Sequence, residues 1–288
     1  MRTCVFFTTF AARYSKIGME KAYLHTFWAV VTGASSGIGL RYATALARDY
    51  GYNIVLVSNQ EKELTEASAD LSKQYGVETR VLCLDLAAAD AAEQVHTFCV
   101  ENGLNVRVLI NNAGMLIFDY LVQVPTQKLN TLLMLHVVTL TKLCQLFGQD
   151  MVRAHEHDAS ARGYILNMSS MSAWMAMPGI QCYNASKSYV LNFSKSLWYE
   201  MRPHHVHVLA MTPGSTNTGL LPFPDKWGRL LRIVGITMSP ERLVQRALHV
   251  LFCTRRKRCM PGAWNYIIVP IINHLPDWLV NCLMPKIL

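Results

Sequence analysis

The sequence predicts an α/β fold: a doubly wound, mostly parallel sheet with helices on both faces, in a single domain. Three observations carry that prediction. Short apolar runs alternate with longer amphipathic stretches, the pattern of strands buried on both faces between covering helices. A glycine-rich turn separates the first apolar run from the first helical pattern. The chain has 288 residues, 51% of them apolar, enough for one large core, and no Pro/Gly/Ser-rich linker or repeat divides it.

Taken in order, Phe27 to Val31 reads as the first strand. The turn Thr32-Gly33-Ala34-Ser35-Ser36-Gly37-Ile38-Gly39 follows, and Leu40, Ala43, Leu46 and Ala47 then mark a helix face. Glycines at 33, 37 and 39 let the backbone turn tightly and approach a pyrophosphate, whose charge would rest at the helix N-terminus. Tyr52 to Val57 is a second strand, Glu61 to Tyr75 a charged amphipathic helix, Val81 to Leu84 a third strand and Ala88 to Val100 a helix. Val106 to Ile110 is the fourth strand. A long helical stretch from Thr126 to about His155 comes next, then strand Tyr164 to Met168, a helix carrying Tyr183 to about Met201, and strand Val206 to Met211.

Ligands of open α/β sheets lie at the carboxyl ends of the strands, and Gly33, Asp85, Asn111, Ser170 and Pro213 each follow a different strand. Tyr183 and Lys187 are four apart on one helix, so both can lean toward the same cavity. A free phenol, with a pKa of about 10, is a poor proton shuttle at neutral pH; a nearby ammonium favours the phenolate. A shift of roughly three units needs about 4 kcal/mol of differential interaction, within reach of one close lysine and a cationic ring in a dry site.

Thr32 to Gly39, Asn111-Asn112-Ala113-Gly114, Ser170 and the Tyr183/Lys187 pair, in this order and spacing, resemble the short-chain dehydrogenase/reductase family in its compact single-domain branch. The resemblance runs from about Phe27 to beyond Thr218. It implies a Rossmann-type sheet in which Tyr183 exchanges the proton of the substrate oxygen, Ser170 hydrogen-bonds that oxygen, and Lys187 tunes the tyrosine and holds the nicotinamide ribose. It also implies cofactor contacts from Gly33, Ser35, Ser36, Gly37, Ile38, Gly39, Ser58, Asn59, Asp85, Leu86, Asn112, Ala113, Gly114, Tyr183, Lys187, Pro213, Gly214, Thr216 and Thr218, with Asn111 bracing the central strands. Asp85 has a second reading as a carboxylate at a helix N-terminus.

Two positions depart from the family pattern. An acidic residue after the second strand would bind ribose hydroxyls and repel the extra phosphate of NADP, but Ser58-Asn59 stands there. Ser35, Ser36 and Asn59 could hydrogen-bond that phosphate, with Lys62 one turn away, so NADP(H) is favoured while NAD(H) stays open. An asparagine on the long helix usually organises water beside the lysine, and that position holds His136. Histidine could anchor the same water through a ring nitrogen, which makes His136 a fourth catalytic candidate, or it could be a buried structural residue with altered relay geometry.

The segment from about 214 to 238, rich in Leu, Ile, Phe and Trp, occupies the place of the family's substrate lid and suggests an apolar substrate, though it could also simply close the core. Residues 1–225 hold 17 basic and 17 acidic side chains, whereas 226–288 hold ten basic and two acidic, so the net charge of +8 belongs to the last stretch. Arg255-Arg256-Lys257-Arg258 precedes an apolar, aromatic tail, a combination suited to peripheral contact with an anionic bilayer. Pro261, Pro270, Pro276 and Pro285 interrupt that tail too often for a spanning helix. A rival reading gives the tail to a final strand and a dimer interface, and a homodimer or homotetramer is expected. Nucleic acid is disfavoured, since no binding module accompanies the basic cluster.

Eight scattered cysteines without a Cys-x-x-Cys pair read as reduced thiols of a cytosolic protein, peripheral at a membrane or free. His204-His205-Val206-His207 lacks acidic or cysteine companions and reads as a solvated loop, so no metal is expected. Ser170 has no Gly-x-Ser-x-Gly elbow, which disfavours hydrolase chemistry. The expected division is a dispensable extension over 1–18, with Met19 as an alternative start, a catalytic domain over 19–258 and a tail over 259–288. The expected activity interconverts a ketone and a secondary alcohol on a hydrophobic substrate, steroid-like or a long-chain lipid ketone such as a ketosphinganine. A catalytically weak nucleotide-binding regulator or scaffold of the same fold is the alternative.

Overall fold

The computed structural model describes residues 26–175, 178–214, 238–262, 265–274 and 276. The 1–18 extension, Thr216, Thr218, lid positions 215–237 and the end of the tail lie outside the described residues.

The chain alternates strand and helix: β1 (Trp28–Thr32), α1 (Gly37–Ala45), β2 (Asn53–Ser58), α2 (Glu61–Tyr75), β3 (Thr79–Cys83), α3 (Ala91–Glu101) and β4 (Val106–Asn111). It continues through α4 (Thr126–Leu133), a π-helical turn (Met134–Thr139), α5 (Leu140–His157), β5 (Gly163–Met168), α6 (Gln181–Met201) and β6 (Val206–Met211). It closes with α7 (Pro240–Cys253), β7 (Arg258–Cys259) and α8 (Asn265–Asn273). One parallel seven-stranded sheet results, in the order β3-β2-β1-β4-β5-β6-β7. The order reverses between β1 and β4, so loops leaving those two strands diverge and open a crevice at their carboxyl ends.

Successive strand residues point to opposite faces, and each face has its own core. On one side Val31, Ile54, Ile110 and Leu209 pack with Tyr42 and Leu46 of the first helical stretch and Leu243, Leu248 and Leu251 of α7. On the other, Val30, Val55, Leu109 and Ile165 pack with Val95 of α3, Leu143 and Phe147 of α5 and Leu197 of α6. Leu64, Leu109 and Phe147 are fully buried, and each such side chain contributes about 1.5–3 kcal/mol from leaving water. This places every strand's carboxyl end on a rigid rim.

The helical stretch expected from Thr126 to about His155 runs to His157 and is broken by the π-helical turn, whose extra residue re-aims one side chain. Helix α7 had no assignment from the sequence, although Ser239-Pro240-Glu241 is a helix start: the Ser239 hydroxyl accepts the Arg242 amide at 3.4 Å and Pro240 occupies the first turn. The domain boundary expected at 258 falls inside β7, where Cys259 pairs with Met211 and is buried. His207 is also not in a solvated loop. It lies on β6, with Nδ1 2.6 Å from the Leu251 carbonyl and Nε2 2.9 Å from that of Arg256. Among the described residues no cluster of three metal-ligating side chains occurs.

Candidate active site

Thr32, the last residue of β1, ties the two crevice loops together. Its hydroxyl accepts the backbone N–H of Asn112 and of Ala113, each at 3.0 Å, and the Asn112 side chain returns a bond to the Thr32 carbonyl at 3.1 Å. Gly33 has φ +64°, and a Cβ there would meet Ala113 Cα and Asn112 Nδ2 at 3.0 Å. A Cβ at Gly39 would sit 2.0 Å from the Gly33 carbonyl oxygen. Glycine is therefore a packing requirement at both positions.

Gly37 differs, with φ +56° and nothing within 4 Å of where a Cβ would stand, so the space above it is open. Ser36, the N-cap of α1, places no side-chain hydrogen bond across the helix end, and the first turn carries no acid. Bare helix amides, open space and no competing carboxylate fit a pyrophosphate. A nicotinamide dinucleotide thus fits the residues present, with Gly33 to Gly39 at its phosphates.

At the far end of β2, Ser35 Oγ donates to Gln60 Oε1 at 2.6 Å and lies 3.1 Å from Ser58 Oγ. Ser35 and Ser58 are buried and Asn59 is exposed. Gln60 is absent from the sequence reading, which weighs Ser58, Asn59 and Lys62 around it. Asp85, exposed just past β3, accepts the Ala87 amide at 2.9 Å in a local turn; it does not stand at a helix N-terminus, since α3 begins at Ala91 with Asp90 before it. Leu86 is buried and its carbonyl accepts the Thr139 hydroxyl at 2.8 Å. Asn111 braces the central strands as expected, donating to Asn167 of β5 at 2.8 Å and to Cys144 of α5 at 3.2 Å.

Ser170 leaves β5 in an extended conformation and caps a short 3-10 turn by accepting the Ser172 amide at 3.1 Å. Neighbouring bonds fix that turn: Met171 N–H to the Pro213 carbonyl at 2.9 Å, and Ser169 Oγ to the Lys187 carbonyl at 2.7 Å. Pro213 thereby joins the site through its backbone, and Gly214 follows it at the edge of the described residues. Ser169 and Asn167 were missed because their roles are to hold other residues, which no spacing reveals.

Tyr183 and Lys187 extend from α6 toward these loops. The Ser170 hydroxyl hydrogen-bonds the Tyr183 phenol. Lys187 is 5% exposed, donates from Nζ to the Met168 carbonyl at 3.0 Å, and lies 5.5 Å from the centre of the Tyr183 ring. A Cβ on Gly114 would come within 3.6 Å of that Nζ, so the ammonium sits beneath the loop after β4. His136, 1% exposed, is turned inward by the π-helical turn and packs edge-on to the Tyr183 ring, centres 5.8 Å apart. Its Nε2 accepts the Met115 amide at 3.0 Å and its Nδ1 meets Ser186 Oγ at 2.9 Å.

The electrostatics depart from the simple expectation that Lys187 depresses Tyr183. Burial raises the phenol above its ordinary value, opposed by the Ser170 hydrogen bond. The ammonium points at a strand-end carbonyl instead of the phenol oxygen, which accounts for the difference. Burial in turn lowers Lys187 to about 8.

In the cofactor-free protein, folded Lys187 sheds its proton near pH 8, whereas the unfolded chain keeps it until about 10.5. Below that window both states are protonated and there is no slope. Across it the unfolded state binds more protons, so stability rises with pH, by about 3 kcal/mol over the full interval. Denaturant titrations of the wild type and Lys187→Met between pH 7 and 10 are expected to show a rise in the former that the latter lacks; parallel curves would contradict the burial of a charged lysine.

The family profile for short chain dehydrogenase matches residues 27–227. The chain is 34% identical over 228 residues to a very-long-chain 3-oxoacyl-CoA reductase of Phaeosphaeria nodorum, covering 78% of this chain and 63% of that one. A human very-long-chain 3-oxoacyl-CoA reductase is 30% identical over 260 residues, 88% of this chain and 76% of its own. Among solved structures, a short-chain dehydrogenase from Sphingobium yanoikuyae in complex with NADPH superposes with a TM-score of 0.71 at 28% identity, covering 87% of this chain and 97% of that one. A 7beta-hydroxysteroid dehydrogenase reaches 0.75 at 26% identity, covering 88% and 95%. With the glycine turn, the strand order and the match over 27–227 in agreement, this chain belongs to the short-chain dehydrogenase family and is an oxidoreductase of nicotinamide cofactors.

Proposed function

We propose that the chain is an NADPH-dependent reductase that converts a long-chain, hydrophobic ketone to a secondary alcohol, with Tyr183, Ser170 and Lys187 as its catalytic residues. The observation that carries the reading is the meeting of these three side chains at the end of β5, beneath the loop that follows β4. When bound, the nicotinamide supplies the hydride. The raised phenol is protonated at neutral pH, which suits Tyr183 to donate a proton to the developing alkoxide. The Ser170 hydroxyl polarises the same oxygen, and the Lys187 ammonium, close to the tyrosine ring, stabilises the phenolate left behind. A protonated acid at rest favours reduction over oxidation.

The names of the relatives support a lipid-like ketone, and the very-long-chain 3-oxoacyl reductases among them narrow it to an acyl chain bearing a 3-keto group. The cleft loop Met115-Leu116-Ile117-Phe118 and the exposed Leu121 and Val122 beyond it supply apolar surface for such a chain. NADPH is supported by the absence of any carboxylate at Ser58, Asn59 or Gln60 and by the NADPH-bound neighbour. The alternative, a regulator with little turnover, is not favoured with Tyr183, Ser170 and Lys187 all in place. Steady-state assays should give a kcat/KM for 3-keto substrates that rises by about tenfold or more from short to long chains and is higher with NADPH than with NADH. A preference for short chains or for NADH would overturn the corresponding part.

Peripheral membrane contact belongs to the same reading. On α8, Val269 is buried while Tyr266, Ile267 and Ile271 are 55%, 52% and 57% exposed, an apolar outward face that follows the basic run Arg255–Arg258 in sequence. Truncation at Arg258 would break β7, so charge on the exposed face is the better probe. Ile267→Glu/Ile271→Glu should lose flotation with anionic liposomes without loss of fold; unchanged flotation would count against membrane contact.

A further inference from the structure

We propose that His136 is a positioning residue: its imidazole locks the loop after β4 to helix α6, holding Lys187 and Tyr183 in place, and takes no part in proton relay. The proposal rests on the reading of Tyr183 and Lys187 as the catalytic pair. Met115 N–H can only donate, so His136 Nε2, 3.0 Å away, must present a lone pair. The Ser186 hydroxyl donates to the Tyr183 carbonyl at 2.8 Å, so its oxygen receives from His136 Nδ1 at 2.9 Å. Together these bonds specify the Nδ1–H tautomer and use both ring nitrogens.

Three elements meet at this one ring. The loop after β4 contributes the Met115 amide, α6 contributes Ser186, and the π-helical turn supplies the ring itself. The Gly114 position lies between them: a Cβ there would be 2.9 Å from His136 Nε2 and 3.6 Å from Lys187 Nζ. The imidazole therefore fixes the height of the loop above the ammonium. The charged and titratable groups facing it are Lys187 and Tyr183, both on α6. Burial, then the Lys187 charge, push the imidazole well below its ordinary 6.5, so it stays neutral at physiological pH. A ring without a spare donor or acceptor cannot anchor a relay water.

Side-chain reach makes the idea testable by graded substitution. Asparagine matches Nδ1 but ends one bond short of Nε2, so His136→Asn keeps a partner for Ser186 and loses Met115. His136→Gln does the reverse, and His136→Ala loses both. Misplacing reacting groups by about 1 Å costs on the order of 100-fold, so Ala should lower kcat by about that factor and Asn and Gln by about tenfold each. All three should keep the limbs of the wild-type pH–rate profile. In the 15N-histidine-labelled wild-type chain with NADPH bound, long-range 1H–15N correlations should report the Nδ1–H tautomer unchanged from pH 5 to 8. An Nε2–H tautomer, or titration within that range, would overturn the proposal, as would loss of a limb of the pH–rate profile in the Ala variant. The NMR result stands whether or not the chosen ketones turn over, so a failed functional reading remains distinguishable from a failed lock.

Discussion

Replacing Tyr183 with phenylalanine is expected to lower kcat by a factor of about 10³ or more, while the chain folds normally and still binds NADPH. General acid catalysis contributes about 10²–10⁴ in rate as a rule, and a factor of about 10³ corresponds to about 4 kcal/mol of transition-state stabilisation. The substitution removes one oxygen and keeps the ring. The edge-on packing against His136 and the neighbouring Lys187 ammonium are retained, and what is lost is the proton donor with its hydrogen bond to Ser170. Equal falls in kcat and kcat/KM, with NADPH binding affected far less, are the expected signature, because the phenol acts chiefly on the transition state. Activity within about tenfold of wild type would remove Tyr183 from the acid role.

Gly39→Ala is expected to have the largest structural effect of any single methyl added to the site. The new carbon would lie 2.0 Å from the Gly33 carbonyl oxygen and 2.6 Å from Asn112 Nδ2, and the first of these is backbone that cannot rotate away. Overpacking of a tight core costs about 1–3 kcal/mol and sometimes more; a backbone clash belongs at the upper end. A cost of about 3 kcal/mol corresponds to a fall of about 6–12 °C in Tm for a domain of this size. The same shift pushes α1 off the turn, so NADPH affinity should fall by about 100-fold or more. Gly37→Ala is the control: its methyl meets nothing, and only the φ of +56° opposes it, for about 1–2 kcal/mol. Differential scanning calorimetry of both variants separates the effects, and equal Tm values would contradict the packing account.

The parts of the fold that the sequence disclosed were those written in local chemistry. Glu61 to Tyr75 and Val206 to Met211 have the same ends in the structure as in the periodicity, because amphipathic and apolar runs there are bounded by clear breakers. The five strand ends and the Tyr183/Lys187 spacing were legible for the same reason. What stayed hidden depends on contacts distant in sequence. β7 is two residues long and exists only because Met211 and Thr212 receive it. The π-helical turn at Met134–Thr139 has no composition signal, yet it decides where His136 points. Ser169, Asn167 and Gln60 are ordinary polar residues until folding brings Lys187, Asn111 and Ser35 beside them.

The electrostatics of the site were the least accessible of all. Spacing places an ammonium near a phenol but says nothing of how dry the site is, and dryness dominates both shifts here. A buried lysine near 8 and a raised phenol describe a resting site with its acid loaded. That arrangement supports the proposed direction, carbonyl reduction at neutral pH.

The most direct test of that claim follows the hydride. Wild-type protein incubated with NADPH carrying deuterium at the transferable position, and with a long-chain 3-keto substrate, should yield a secondary alcohol with one deuterium on the carbinol carbon. Mass spectrometry should find it in amounts stoichiometric with NADPH consumed, and Tyr183→Phe should yield little or none over the same interval. Tight NADPH binding with no labelled alcohol from any ketone tried, or equal labelling by the wild type and Tyr183→Phe, would contradict a reductase whose acid is Tyr183.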